Sequence, residues 1–315
     1  MEREISLKND LKSLMNMIRL FKKEKPHIVN SGTPKAGLIG TLAALITRRP
    51  VRIYTVRGLR LETVTGLKYK ILYAMEKLAM FCATDIIAVS ESLKSKIVEL
   101  KLAKSNKIKV LGYGSSNGID IEKFSKQFNS IPFDVKEAIS GHFVIGFVGR
   151  IVKDKGIKEV VEMFKILQHQ NLKVKLLILG NPEKDDSISN DDYQYLLNHE
   201  DIVLVGQVPD PVHYFNHMDV LVSPTYREGF ANVSLEAQSV EVPVITTRAT
   251  GAIDTIEDNH TGFLVNVGES VGLADKVEYL INHPSLKEEM GKNGRRRVEE
   301  KFRNEIVWKH LETIY

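Results

Sequence analysis

The chain has 315 residues, 43% of them apolar and 27% charged, with a net charge of +4. That balance excludes a fibrous or disordered protein and leaves room for two ordinary domains. Cys82 is the one cysteine, which excludes an internal disulfide framework and fits a reducing compartment.

Taken in chain order, Leu7, Leu11, Leu14, Met15 and Ile18 recur at helical spacing. His27 to Asn30 reads as a short strand, Lys35 to Ile46 as a helix and Val51 to Val56 as a strand. A long helix is predicted from Gly66 to Cys82 and a strand from Asp85 to Val89. Ser90 is a fitting N-cap for a helix over Glu91–Leu100, and Ile108 to Leu111 closes this half. A polar loop from Gly112 to Asp120 and an irregular stretch to about Ile139 break the rhythm. It restarts with the strand Phe143–Gly149 and a helix from Gly156. Strands at Val174–Leu179, Ile202–Val205, Val220–Ser223 and Val244–Thr247 follow, with helices between them. Two such alternating series predict an α/β protein of two doubly wound, Rossmann-like domains facing one another across a cleft. The expected boundaries are 1–138 and 139–301, with a terminal helix at about 302–315 packing back on the first domain. That first domain opens on a helix where a doubly wound domain opens on a strand, so an incomplete N-terminal domain is expected.

Charge is unevenly spread. Residues 1–138 carry 25 Lys+Arg against 13 Asp+Glu, a balance of +12, and the remainder carries 19 against 27, a balance of −8. A basic half suits an anionic surface or a phosphate-bearing substrate, or its lysines are simply solvated. Lys12, Arg19, Lys22, Lys23 and Lys25 accompany the first apolar stripe, which fits either a helix lying on anionic lipid or an ordinary core-facing helix. The apolar run Ala36–Ile46 is too short to span a bilayer, and Met-Glu-Arg-Glu lacks the apolar core of a signal peptide. The expected location is the cytoplasm, with peripheral association at the inner face of the cytoplasmic membrane.

Three segments carry candidate chemistry. In Gly146-Phe-Val-Gly-Arg-Ile-Val-Lys-Asp-Lys-Gly156, Gly149 and Arg150 end a buried strand and Lys155 stands at the start of a helix, where amides favour an anion. This reads as a diphosphate clamp or as two exposed basic residues in a loop. In Pro224–Ala237, Glu228 precedes Gly229, the chain then turns helical and Glu236 follows eight positions after Glu228, a little over two helical turns, so Glu236 is expected to point back along roughly the face that the Glu228 loop approaches. Two carboxylates around a helix N-terminus suit a ligand with hydroxyls at both ends and a phosphate between; the competing reading is acidic complementation of a helix start. Arg248–Gly262 is a glycine turn, a short helix and another turn, and Asn117-Gly118-Ile119-Asp120 is a turn signal. His213 and His217 stand four apart on a predicted helix without an apparent third ligand, so no metal site is expected. Asp185-Asp186, Asp191-Asp192 and Arg295-Arg-Arg297 read as solvated charges.

The three C-terminal segments in this order resemble the retaining GT-B glycosyltransferases of family 4, the group 1 transferases. The N-terminal half is similar to bacterial capsule and O-antigen transferases through Thr33-Pro-Lys-Ala-Gly-Leu, Tyr54-Thr-Val-Arg-Gly58 and Ser115-Ser-Asn-Gly-Ile-Asp120. The resemblance implies a sugar moved with retention from a nucleotide-diphosphate donor, UDP-linked, to a saccharide on a polyprenyl diphosphate. No metal or other cofactor and no nucleic acid is implied. Arg150, Lys155 and Glu228 would be catalytic, with the two cations on the diphosphate and Glu228 on hydroxyls of the transferred sugar. Glu236 would hold the ribose, backbone at Gln207–Val208 the base, and Gly149, Gly229, Phe230, Ala231 and Asn232 would line the donor. Arg57 stands where many relatives have histidine; Arg57 and Asn117 would face the acceptor or a phosphate. Two other functions remain compatible with the residues: a truncated, non-catalytic nucleotide-sugar-binding protein, and a sugar-nucleotide 2-epimerase.

Overall fold

The computed structural model describes residues 7–126, 130–183 and 188–314. The chain divides into two compact units. The first holds the chain up to Ser116, the three residues Glu228–Phe230 and the end from Val307; the second holds Asn117–Arg227 and Ala231–Ile306.

The first unit is a parallel sheet of four strands in chain order: β1 (Ile28–Gly32), β2 (Val51–Val56), β3 (Asp85–Ala88) and β4 (Ile108–Val110). Helices α1 (Leu7–Glu24), α2 (Pro34–Ile46), α3 (Gly66–Cys82) and α4 (Glu91–Glu99) alternate with them. Small residues let α2 approach the sheet closely: a Cβ on Gly37 would lie 2.1 Å from the Tyr54 ring. Of the predicted α1 stripe, Leu14 and Ile18 pack with Met17 and Phe21 around Ala43 and Ala44 of α2. Leu11 and Met15 are exposed instead. The Tyr54 hydroxyl donates to Glu76 Oε2 at 2.8 Å deep inside this unit, and burial pushes Glu76 up to about 7.

The second unit is a parallel sheet of six strands in the order β10-β9-β8-β5-β6-β7. These are β5 (Phe143–Val148), β6 (Val174–Leu179), β7 (Ile202–Gly206), β8 (Val220–Ser223), β9 (Val244–Thr247) and β10 (Gly262–Val265). The winding reverses between β5 and β8, which are neighbours despite the two strands between them in sequence. Helices α6 (Ile157–His169) and α10 (Ser270–Asn282) pack together, and α9 (Asn232–Ser239) packs with α11 (Pro284–Lys301). A continuous apolar core runs from Ile145 and Phe164 through Val222 to Leu273.

Several expectations need correction. The stretch read as irregular to Ile139 contains a helix, α5 (Phe133–Ile139), and the break between units falls at residue 116 instead of 138. The reason is tertiary. Residue Ile119 bridges to Arg303 in the second unit, and the Phe124 ring packs tilted against Phe215 of the short helix α8 (Val212–Phe215), their centroids 6.3 Å apart. Because α8 ends at Phe215, His213 and His217 do not share a helix. Asp191 and Asp192 lie in the first turn of α7 (Asn190–Asn198), where Ser189 Oγ caps the Asp192 amide at 3.1 Å. Asp185-Asp186 lies outside the described residues. Two of the three arginines at 295–297 are internal staples: Arg295 donates to the carbonyls of Ile121 and Phe124, and Arg297 to those of Asp254 and Thr255. The terminal helix α12 (Asn304–Glu312) joins the first unit from Val307 on, and a Cβ on Gly112 would lie 3.1 Å from its His310 ring.

Candidate active site

Parallel strands bring all their carboxyl ends to one edge of a sheet, and the point where winding reverses leaves room for a ligand there. In the second unit that point lies beyond β5 and β8. Gly149 and Arg150 leave β5. The Gly149 amide donates to Leu179 O at 2.9 Å, and Arg150 Nη1 donates to Glu183 Oε2 at 2.7 Å. The chain then makes a tight turn over Lys153–Lys155 and enters α6 through Gly156 at φ 70°. Lys155 therefore sits in the turn immediately before the helix, which starts at Ile157. Only glycine suits position 156, because a Cβ there would lie 2.0 Å from Pro224 O.

That turn is stitched to the loop leaving β8. Asp154 O accepts from the Tyr226 amide at 2.9 Å and from Thr225 Oγ1 at 3.0 Å, while Asp154 Oδ2 accepts from Arg227 Nη2 at 2.6 Å. The Tyr226 hydroxyl reaches Glu159 Oε1 on α6 at 2.6 Å, and burial followed by that bond pushes the phenol up to about 12. Asp154, Tyr226 and Arg227 thus fix Lys155 beside the β8 exit. Sequence reasoning missed all three; the one available signal was their place at two strand ends.

Glu236 lies half-buried in the second turn of α9. Burial pushes its carboxyl up to about 7, while the nearby Lys123 charge lowers it and Asp210 raises it. Lys123 Nζ pairs with Asp210 Oδ2 at 2.8 Å. Asp210 follows Val208 in the loop beyond β7, and Gln207 N donates to Asn181 Oδ1 at 3.2 Å. The structure therefore places Gly149, Arg150, Lys155, Val208, Ala231, Asn232 and Glu236 in the second unit, on loops and a helix that follow β5, β7 and β8. Asn117 is an exposed turn residue, and the next residue, Gly118, fits under Asn304.

Glu228, Gly229 and Phe230 belong with the first unit, as does Arg57. Ser90 Oγ accepts from the Leu93 amide at 3.2 Å, capping α4, and donates to Gly229 O at 2.9 Å. A Cβ on Gly229 would lie 2.3 Å from Arg57 O, and one on Gly58 would lie 3.2 Å from Gly229 N. The two backbones touch because neither position carries a side chain. Phe230 is buried against Gly114, and Arg57 is exposed. Glu228 does not stand two helical turns before Glu236 on one helix face, because α9 starts only at Asn232. The Arg248–Gly262 segment is mainly scaffold: Gly251 O accepts from the Ala231 amide at 3.4 Å, and Arg248 pairs with Asp258 at 2.8 Å.

A family model described as "Glycosyl transferases group 1" matches residues 131–297, and one for a "Glycosyl transferase 4-like domain" matches residues 2–114. The chain is 59% identical over 315 residues to the capsular polysaccharide biosynthesis glycosyltransferase CapM of Staphylococcus aureus, covering 100% of this chain and 83% of that one. It is 30% identical over 275 residues to an Escherichia coli UDP-Gal:alpha-D-GlcNAc-diphosphoundecaprenol alpha-1,3-galactosyltransferase, covering 85% and 69%. Among solved structures, HepE of Anabaena in complex with UDP-glucose superposes with a TM-score of 0.76 at 19% identity, covering 96% of this chain and 81% of HepE.

Proposed function

The chain belongs to the glycosyl transferases of group 1 and has the GT-B fold, and from that premise we propose that it moves a sugar from a UDP-linked donor to a saccharide on a polyprenyl diphosphate, with retention, in surface polysaccharide synthesis. The observation that carries the donor reading is the stitched pair of loops at the winding reversal, which holds Lys155 beside the β8 exit, with Arg150 just past the end of β5. The UDP-glucose complex of HepE and the undecaprenol-linked acceptor of the E. coli relative support the choice of substrates.

In sugar transfer the leaving diphosphate gains negative charge while the anomeric carbon becomes cationic. Fixed cations at the phosphate therefore gain most of their interaction in the transition state. Arg150 and Lys155 supply that charge in this reading, without a metal. The carboxylate of Glu183 competes with the diphosphate for the Arg150 guanidinium. Glu236 accepts the ribose hydroxyls once ionised, and backbone near Val208 meets the base. Glu228 accepts from hydroxyls of the transferred sugar, with Gly229, Phe230, Ala231 and Asn232 lining the donor. Attack from the face of the departing phosphate retains configuration without a glycosyl–enzyme intermediate. Arg57 and Asn117 are assigned to the acceptor or its phosphate, and the basic α1 to peripheral contact with the inner membrane face.

The test is a panel of UDP-sugars followed by thermal shift, then transfer to a short-chain diphosphate acceptor with the product anomer read by NMR. A cognate donor raises the melting temperature and yields the retained anomer. An inverted product, or a trapped adduct on Glu228, overturns the mechanism.

A further inference from the structure

Helix α3 is apolar on two opposite faces, and only one of them is covered by the described residues. Leu72, Glu76, Ala79 and Met80 are buried in the first unit. On the other side Leu67, Ile71, Leu78 and Phe81 are 72%, 42%, 43% and 75% exposed. With the exposed Ala74 they recur at intervals of four, three, four and three, which on a 3.6-residue helix is one straight stripe. A contiguous apolar face of this kind marks an interaction surface.

The charges along the stripe decide what covers it. Lys68 borders one side, Lys70 and Lys77 the other, and all three are exposed. The helix's one acidic residue, Glu76, is buried on the far face. The spacing also suits helix pairing between two copies of this chain. Such a pair would set lysines against lysines along both flanks, where paired helices carry opposite charges. An anionic surface satisfies the same flanks. Lysine stems extend over apolar surface while their ammonium groups reach outward, so the stripe and its borders suit the boundary between headgroups and acyl chains. At 17 residues α3 is shorter than a bilayer span, and no helix among the described residues is long and apolar enough to cross one.

We infer that α3 lies flat on an anionic lipid surface, with Leu67, Ile71, Leu78 and Phe81 entering the acyl boundary and Lys68, Lys70 and Lys77 at the headgroups. This deepens the reading of a lipid-linked acceptor and moves the principal membrane contact from the basic α1 to α3.

The experiment is sedimentation of the full chain with phosphatidylcholine vesicles, with and without phosphatidylglycerol, at low and high salt. The wild type binds the anionic vesicles and is released by salt. Leu67→Ser with Phe81→Ser lowers binding about tenfold or more. Lys70→Glu with Lys77→Glu removes the preference for anionic lipid. Unchanged thermal melts show that both variants fold. Wild type that ignores vesicles, binding indifferent to the stripe, or a dimer in light scattering that the serine variant dissociates would each overturn the assignment. Transfer to a water-soluble acceptor is scored alongside. Transfer without lipid binding sinks the surface alone, and stripe-dependent lipid binding without transfer upholds it while sinking the proposed reaction.

Discussion

Each of the two units carries, on a helix, one glutamate that burial pushes up to about 7, and the two sit in different surroundings. Glu76 is 2% exposed, wedged between α3 and β2, with the Tyr54 hydroxyl as its partner. Glu236 stands at the carboxyl edge of the second sheet, half-buried and within the fields of Lys123 and Asp210. The same desolvation acts on both. What separates them is access: one carboxyl is sealed into a core, the other is half-buried beside the loops at the strand ends. A shifted ionisation alone therefore does not mark a site; its position relative to the strand ends does.

The largest expected effect tests the chemical side of that contrast. Arg150→Ala or Lys155→Ala should cost roughly 2–4 kcal/mol of transition-state stabilisation, about 30- to 1000-fold in kcat/KM, with little change in melting temperature. Glu76→Ala should reverse the pattern, lowering stability and sparing the donor KM. Steady-state kinetics beside thermal melts separate the two classes, and turnover at the wild-type rate in either cation variant breaks the comparison.

Next in size is the pH dependence of folding. Glu76 binds a proton in the folded chain at pH values where the unfolded chain has lost it. Its stabilising contribution is full below about 4.5 and fades as pH rises to about 7, roughly 3 kcal/mol across that window. Glu76→Gln keeps an acceptor for Tyr54 and should flatten this part of the stability profile. Urea unfolding at pH 5 and pH 7.5 measures the difference, and identical slopes in wild type and variant would refute it.

A smaller effect concerns Glu236. Ionised, it accepts hydroxyl hydrogen bonds; protonated, it loses part of that capacity. The donor KM should therefore rise as pH falls through about 7, and Glu236→Gln should raise it about tenfold at pH 8 while removing the pH dependence. A wild-type KM that does not vary between pH 6 and 8 would argue that the ribose sits elsewhere.

The contrast also shows what was legible in the sequence. Local signals carried the elements: α3 spans Gly66–Cys82 as its pattern predicts, and Ser90 caps α4. Alternating strands and helices, with Gly149-Arg150 and Lys155-Gly156 at a strand end, pointed to the loops that the structure stitches together. Contacts distant in sequence were not readable. Nothing in Lys123 announces that it faces Glu236, since the two meet only because residues 117–126 fold onto the second unit. Arg295 looks like a solvated helix charge until three carbonyls converge on it. Strand β10 was lost among turn residues because it has only four residues and begins with a glycine.

The smallest effect probes a residue that belongs to both local and distant structure. The Ser90 hydroxyl caps α4 through the Leu93 amide and anchors Gly229 O, so one oxygen sets a helix start and holds the segment next to Glu228. Ser90→Ala should cost about 1 kcal/mol of stability as a lost cap. If the anchor matters to the sugar, kcat should fall further than that loss of folded protein accounts for. The effect should be larger for the natural donor than for one whose sugar lacks the hydroxyls that Glu228 accepts. Equal losses with both donors would mean that Ser90 is a cap alone. Glu228 would then be positioned by the backbone contact of Gly229 with Arg57 and Gly58, and Gly229→Ala, whose Cβ would lie 2.3 Å from Arg57 O, becomes the more damaging change.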